Sequence, residues 1–217
     1  MTQSSLIPTS AYIAGSSPNS LGITGTGAGL KLPITISEDL LTDILKPYRP
    51  NARYLKLAEI THFRGSAQVE KGAKDVALAV GVGRFAIPES CYIDDTGHFN
   101  AVEFNICYNQ LAYVVFAKGV EAGLVHQVRR EEVDAPSLTE YKRHQLPAML
   151  IVGIEGVRFF KQLKSSDFSG ELTISKASSV GGAWFFSTSI TFSDHEGVKA
   201  KGSVMLAYSP TFNPVKH

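Results

Sequence analysis

The chain has 217 residues, 44% of them hydrophobic and 19% charged, and its 21 Lys and Arg nearly cancel 20 Asp and Glu to leave a formal charge of +1. A chain of this size buries a substantial core, and this balance excludes a general electrostatic pull toward nucleic acid or an anionic membrane. Cys91 and Cys107 are the only cysteines and stand outside any CxxC or Cys/His spacing, which excludes a disulfide framework and a zinc site.

Residues 1–35 are rich in Ser, Thr, Gly and Pro without hydrophobic periodicity, and read as a flexible arm ahead of a single domain over 36–217. The arm lacks the charged start and apolar h-region of a signal peptide, and no apolar run approaches the roughly 18 residues of a membrane span, so a cytoplasmic protein is expected. "GITGTGAG" from Gly22 lacks the preceding strand and following helix of a phosphate loop and reads as linker. Ser37 then opens a short helix, with Glu38 and Asp39 in its first turn, apolar Leu40, Leu41, Ile44 and Leu45, and a stop at Pro47. Two strands follow, "RYLKLAEITHF" from Arg53 and "KDVALAVGVGRFAI" from Lys74.

Asn100 reads as the N-cap of a helix running to about Glu121. Val102, Phe104, Ile106, Tyr108, Leu111, Tyr113, Val115 and Phe116 cover every side of it, which predicts a buried helix. "APSLTEYKRHQL" reads as a second short helix, and four strand-like runs begin at Ala148, Phe168, Gly182 and Val198. Two strands, a buried helix and four strands predict an α+β domain, an antiparallel sheet wrapped around one central helix, which is the hot-dog architecture. Its exposed sheet edges predict a homo-oligomer, a dimer or higher.

Polar residues inside a buried helix need partners, because an unpaired buried amide or carboxylate costs roughly 1–3 kcal/mol or more. On a helical wheel Asn105 and Asn109 fall together, Glu103 and Gln110 share another side, and Asn100 lies within reach of Glu103. Each alone is explained by bonding to sheet or strand-end groups; as a set beside His98 and Tyr92 they read as a site. A helix N-terminus presents unpaired N–H groups and the positive end of the dipole, which suits a thioester oxygen gaining negative charge.

"YIDDTGHFNAVEFNICYNQLAY" resembles the signature of the FcoT-like acyl thioesterases, a hot-dog family, and the likeness extends to "PYRPNARYL", "YKRHQLPAMLI" and "RFFKQL", from about Ser37 to the end of the chain. The resemblance implies an enzyme acting on fatty acyl thioesters without a cofactor and without the catalytic Asp or Glu general base of other hot-dog thioesterases. It implies that the family's tyrosine and asparagine positions are carried by Tyr54, Tyr92, Asn100 and Asn109. Family members tied to isonitrile-lipopeptide or β-amino-acid pathways imply a two-step reaction. Glycine adds through its amine to the β-carbon of a (2E)-enoyl group on the phosphopantetheine of an acyl carrier protein, and hydrolysis releases an N-carboxymethyl-3-amino fatty acid. Hydrolysis alone of long-chain acyl-CoA or acyl carrier protein, and acyl binding without turnover, are the alternatives.

Both steps of that reaction place negative charge on the thioester oxygen. Main-chain N–H groups near Asn100 to Val102 and the Tyr92 hydroxyl are candidates to hold it, and Asn109 to position the attacking water. Glycine attacks as the free amine, so a proton acceptor is needed; His98 and Glu103 are equal candidates, each with a helix-capping or charge role as the alternative. Arg158 and Lys161, or Arg143 and His144, are candidates for the glycine carboxylate, or for the carrier's phosphate and acidic surface. His62, His126, His195 and His217 show no metal-ligand spacing, and HExxH and GxSxG are absent.

Overall fold

The computed structural model describes residues 31–64, 77–94, 98–124 and 136–209. The glycine run from Gly22, most of the expected arm, His126 and His217 lie outside the described residues. Strand β1 (Ile34–Thr35) falls within the last residues of the expected arm and pairs with β2 (Leu55–Phe63), so the sheet starts earlier than the composition implies. Between them, the Ser37 hydroxyl accepts the Leu40 N–H at 3.3 Å and caps α1 (Glu38–Leu45), which buries its four apolar residues.

Strand β3 (Ala79–Phe85) leads to the long helix α2 (Ala101–Glu121). Helix α3 (Leu138–Ala148) runs straight into β4 (Met149–Phe159), and β5 (Phe168–Val180), β6 (Ala183–Asp194) and β7 (Gly197–Tyr208) form a meander. The sheet order is β1-β2-β3-β5-β6-β7-β4, with every pair antiparallel. This is the expected sheet around a central helix. Because α2 and α3 lie between β3 and β4, the chain crosses to the far side of the sheet, and β4 becomes an edge bonded only to β7 among the described strands.

The helix lies close on the sheet where strands carry glycine. A Cβ on Gly81 would sit 2.3 Å from Val115 Cγ2, and one on Gly202 2.9 Å from Phe104 Cζ, so side chains at these positions would push α2 outward. At the amino end of α2 the rings of Phe99 and Phe104 pack with Phe159 and Phe192, fixing where the helix begins.

Candidate active site

Asn100 is extended at φ −124° and caps α2, its side-chain oxygen accepting the Val102 N–H at 2.8 Å. Glu103 reaches back to accept the Asn100 N–H at 3.3 Å, completing a capping box. The same carboxylate takes two further hydrogen bonds. Ser90 donates to Oε1 at 3.3 Å, and the Tyr92 hydroxyl donates to Oε2 at 3.4 Å. Asn100 Nδ2 in turn donates to the Tyr92 oxygen at 2.7 Å.

The sequence-predicted Tyr92, Asn100 and Glu103 therefore form one connected cluster. Its members differ in access: Glu103 is 3% exposed, whereas Tyr92 is 46% exposed and Val102 beside it is also open. The Ala101 N–H makes no hydrogen bond to a described residue, leaving a helix-end donor at this open entrance. A ligand carbonyl there would meet a main-chain donor and the positive end of the dipole, backed by a phenol whose proton leads to a buried carboxylate.

Tyr54 supports the cluster from beneath. Its buried hydroxyl accepts the Cys91 N–H at 2.9 Å and so pins the segment that carries Ser90 and Tyr92. Burial pushes the Tyr54 phenol well above its ordinary pKa, keeping it neutral. Gln110 fixes the backbone of Tyr54: its Oε1 accepts the N–H groups of Tyr54 and Leu55 at 3.0 and 2.9 Å, and its Nε2 donates to Ala52 at 2.6 Å.

Other predicted residues stand elsewhere within one chain. His98 is exposed just ahead of the cap. Asn109 is nine residues past Asn100, roughly 13 Å along the axis and half a revolution round it. It lines a groove with Tyr113, Leu146, Met149, Leu150 and Ile151. Arg158 and Lys161 are exposed, and His144 is half-buried on α3. Val157 meets the position of Gly202 beside Phe104, and Phe159 packs on Phe99, so alternation along β4 turns Arg158 away from the helix. Among the described residues no group of His, Cys, Asp or Glu is arranged to hold a metal, and no helix is long and apolar enough to cross a membrane.

The model of the FcoT-like thioesterase domain matches residues 43–208. The chain belongs to the FcoT-like thioesterase family. It is 35% identical over 176 residues to a "(2E)-enoyl-[ACP] glycyltransferase" of Streptomyces coeruleorubidus, covering 79% of this chain and 96% of the relative. It is 37% identical over 176 residues to a protein of that name from Mycobacterium marinum, covering 79% and 86%. Among solved structures it is similar to an isomerase-inactive variant of GphF DH1, with a TM-score of 0.50 at 10% identity, covering 90% of this chain and 56% of that one; this likeness bears on fold alone.

Within this FcoT-like domain, Ser90 was missed by sequence reasoning because it sits in a loop, where no period signals which way a side chain turns. The structural role of Gln110 was missed for a different reason. Its bonding partners lie 55 to 58 residues away and are main-chain groups, which carry no sequence signal.

Proposed function

We propose that the protein adds glycine to a (2E)-enoyl thioester on an acyl carrier protein and then hydrolyses the thioester, releasing an N-carboxymethyl-3-amino fatty acid. The observation that carries this reading is the Tyr92–Asn100–Glu103 cluster at the open end of a largely buried helix, in a family whose relatives above are named for glycyl transfer. The two free cysteines suit a reducing cytoplasm.

In the addition, the thioester oxygen rests at the Ala101 N–H. The glycine nitrogen lone pair forms the N–C3 bond, and the C2=C3 π pair moves to give an enolate whose charge lies on that oxygen. The new ammonium gives a proton to the Tyr92 oxygen as Tyr92 passes its own to Glu103, and a proton returned to C2 completes the addition of N–H across the double bond. In the hydrolysis, water attacks C1, the same donor holds the tetrahedral oxyanion, and the C–S bond breaks as the carrier thiol leaves with a proton. Arg143, His144, Arg158 and Lys161 meet the acidic carrier protein and its phosphate.

Asn109 enters this site from a second copy of the chain. Along β4, Met149–Ile151 lie beside Asn109, while Phe159 lies against Phe99 and Phe104 at the amino end of α2. Antiparallel pairing of two β4 edges therefore brings the partner's Asn109 toward this chain's Asn100, and it covers the exposed Leu150, Val152 and Ile154. Mixing Asn100→Ala and Asn109→Ala subunits at random gives half heterodimers, each with one intact site of two, so about a quarter of wild-type turnover returns. A mixture no better than the two variants alone removes the shared site.

The reaction is tested by incubating the protein with a 2-enoyl acyl carrier protein, with and without glycine, and weighing the products. A released acid heavier by one glycine, formed only when glycine is present, supports the proposal. Free enoic acid alone in both samples reduces the activity to hydrolysis, and recovered thioester reduces it to binding.

A further inference from the structure

Asn105 carries the one buried side-chain oxygen of α2 that the fold leaves without a hydrogen-bond partner. Its Oδ1 is screened from solvent and makes no hydrogen bond, whereas the oxygen of Gln110 on the same helix takes two N–H groups. An aliphatic side chain would avoid the desolvation cost of that oxygen, so the amide calls for a donor that arrives from outside the chain. Asn105 stands one turn before Asn109, on the face where Asn105, Ile106 and Asn109 are only half-buried and Val102 is exposed. That is the open side of an otherwise enclosed helix.

We propose that Asn105 positions glycine for the addition step, its amide oxygen accepting an N–H of the attacking nitrogen. This inference rests on the reading of function above. Asn105 lies four residues beyond Ala101, roughly 6 Å along the axis. An amine attacking C3 of an enoyl group held by its carbonyl oxygen at Ala101 needs an acceptor at that scale, since one N–H···O bond spans about 2.9 Å and the enoyl unit supplies the rest. The chemistry also favours an amide. The nitrogen gains positive charge as the N–C3 bond forms, and a neutral oxygen holds its N–H without the stronger charge-assisted bond by which a carboxylate would keep glycine as the unreactive ammonium. Side-chain amides turn easily about χ2, and swinging Oδ1 toward the half-buried side of the helix breaks no hydrogen bond at that atom.

The test measures glycine-adduct formation against hydrolysis of a saturated acyl carrier-protein thioester, in wild type, Asn105→Ala and Asn105→Asp, with thermal unfolding followed for each. In Asn105→Ala the KM for glycine rises and the ratio of addition to hydrolysis falls about tenfold or more, while the unfolding temperature holds or rises because an unsatisfied buried acceptor has gone. In Asn105→Asp the pH–rate profile of addition moves to higher pH, since the carboxylate retains the ammonium form. A wild-type protein that makes the adduct while Asn105→Ala keeps the wild-type glycine KM overturns this inference alone. Addition and hydrolysis falling together, with lowered unfolding temperature, also overturns it by making Asn105 structural. A wild-type protein that makes no adduct overturns the reading of function first.

Discussion

Replacing Gln110 by Ala tests whether the site depends on a tie made far from the substrate. Gln110 is fully buried at 0% exposure, and its amide satisfies three main-chain groups: the N–H of Tyr54, the N–H of Leu55 and the carbonyl of Ala52. Removing it strands all three in the core. Each buried group left unsatisfied costs about 1–3 kcal/mol, and relaxation of a strand start recovers part of the sum, so a loss near 4 kcal/mol is expected, beyond the usual range for one substitution. For a domain of this size that loss lowers the unfolding temperature by roughly 8–16 °C. Urea unfolding followed by fluorescence of Trp184 measures it directly. Activity falls as well, because the Tyr54 hydroxyl holds the Cys91 N–H and thereby the loop bearing Ser90 and Tyr92. A measured loss under about 1 kcal/mol would show that water or rearranged backbone satisfies the three groups and that Gln110 does not hold this part of the core.

Tyr92→Phe removes the hydroxyl between Asn100 Nδ2 and Glu103; addition turnover is expected to fall about 100-fold in steady-state assays while the unfolding temperature changes little, since the ring is half exposed. Gly81→Ala places a methyl group 2.3 Å from Val115 Cγ2, costing about 1–3 kcal/mol by denaturant titration, and adding Val115→Ala recovers part of it. The third concerns Lys199, 2% exposed, whose ammonium lies 2.6 Å from Glu196 and 3.4 Å from Asp194. Its hydrogen bond lowers the Glu196 pKa; at Asp194 burial acts upward, but the N–H groups of Glu196 and Lys164 together with Lys199 outweigh it. Both folded pKa values lie below the ordinary 3.8 and 4.5, so the stabilisation is present above those values and disappears as pH falls through the folded ones. Unfolding free energy should drop on acidification below about pH 4.5, and Lys199→Met should flatten that slope.

The sheet, the helix and the capping box were legible because each leaves a local signature: alternation, apolar residues on every side, and Asn followed three residues later by Glu. The length of α2 follows the same logic and ends at Glu121 as expected. What was not legible depends on long-range or irregular geometry. Strand β1 has two residues, too few for a period, and exists only because β2 offers Ile60 and Glu59 as partners. The face of Arg158 is hidden by a register shift between Glu155 and Arg158, since one extra residue reverses every later side chain. The connection of Asn100 to Glu103 was readable at three residues' spacing, whereas the distance from Asn100 to Asn109 was readable in principle from the same helix rise and argues against one chain supplying both.

The polar residues of α2 divide by what they meet. Gln110 meets main-chain groups and is spoken for. Glu103 meets three donors, one of them a phenol open to solvent. Asn105 meets nothing through its oxygen. In the proposed reaction this division solves a conflict in the chemistry of glycine. A base is needed to take the proton of the new ammonium formed on addition, yet a carboxylate in direct contact with glycine would stabilise its ammonium form and suppress the attacking lone pair. Setting Glu103 behind Tyr92 separates the two demands, because the phenol relays a proton without adding a second negative charge at the entrance. The amide at Asn105 and the N–H at Ala101 then face the substrate as neutral groups, so the nitrogen that arrives there is held in the form that can react.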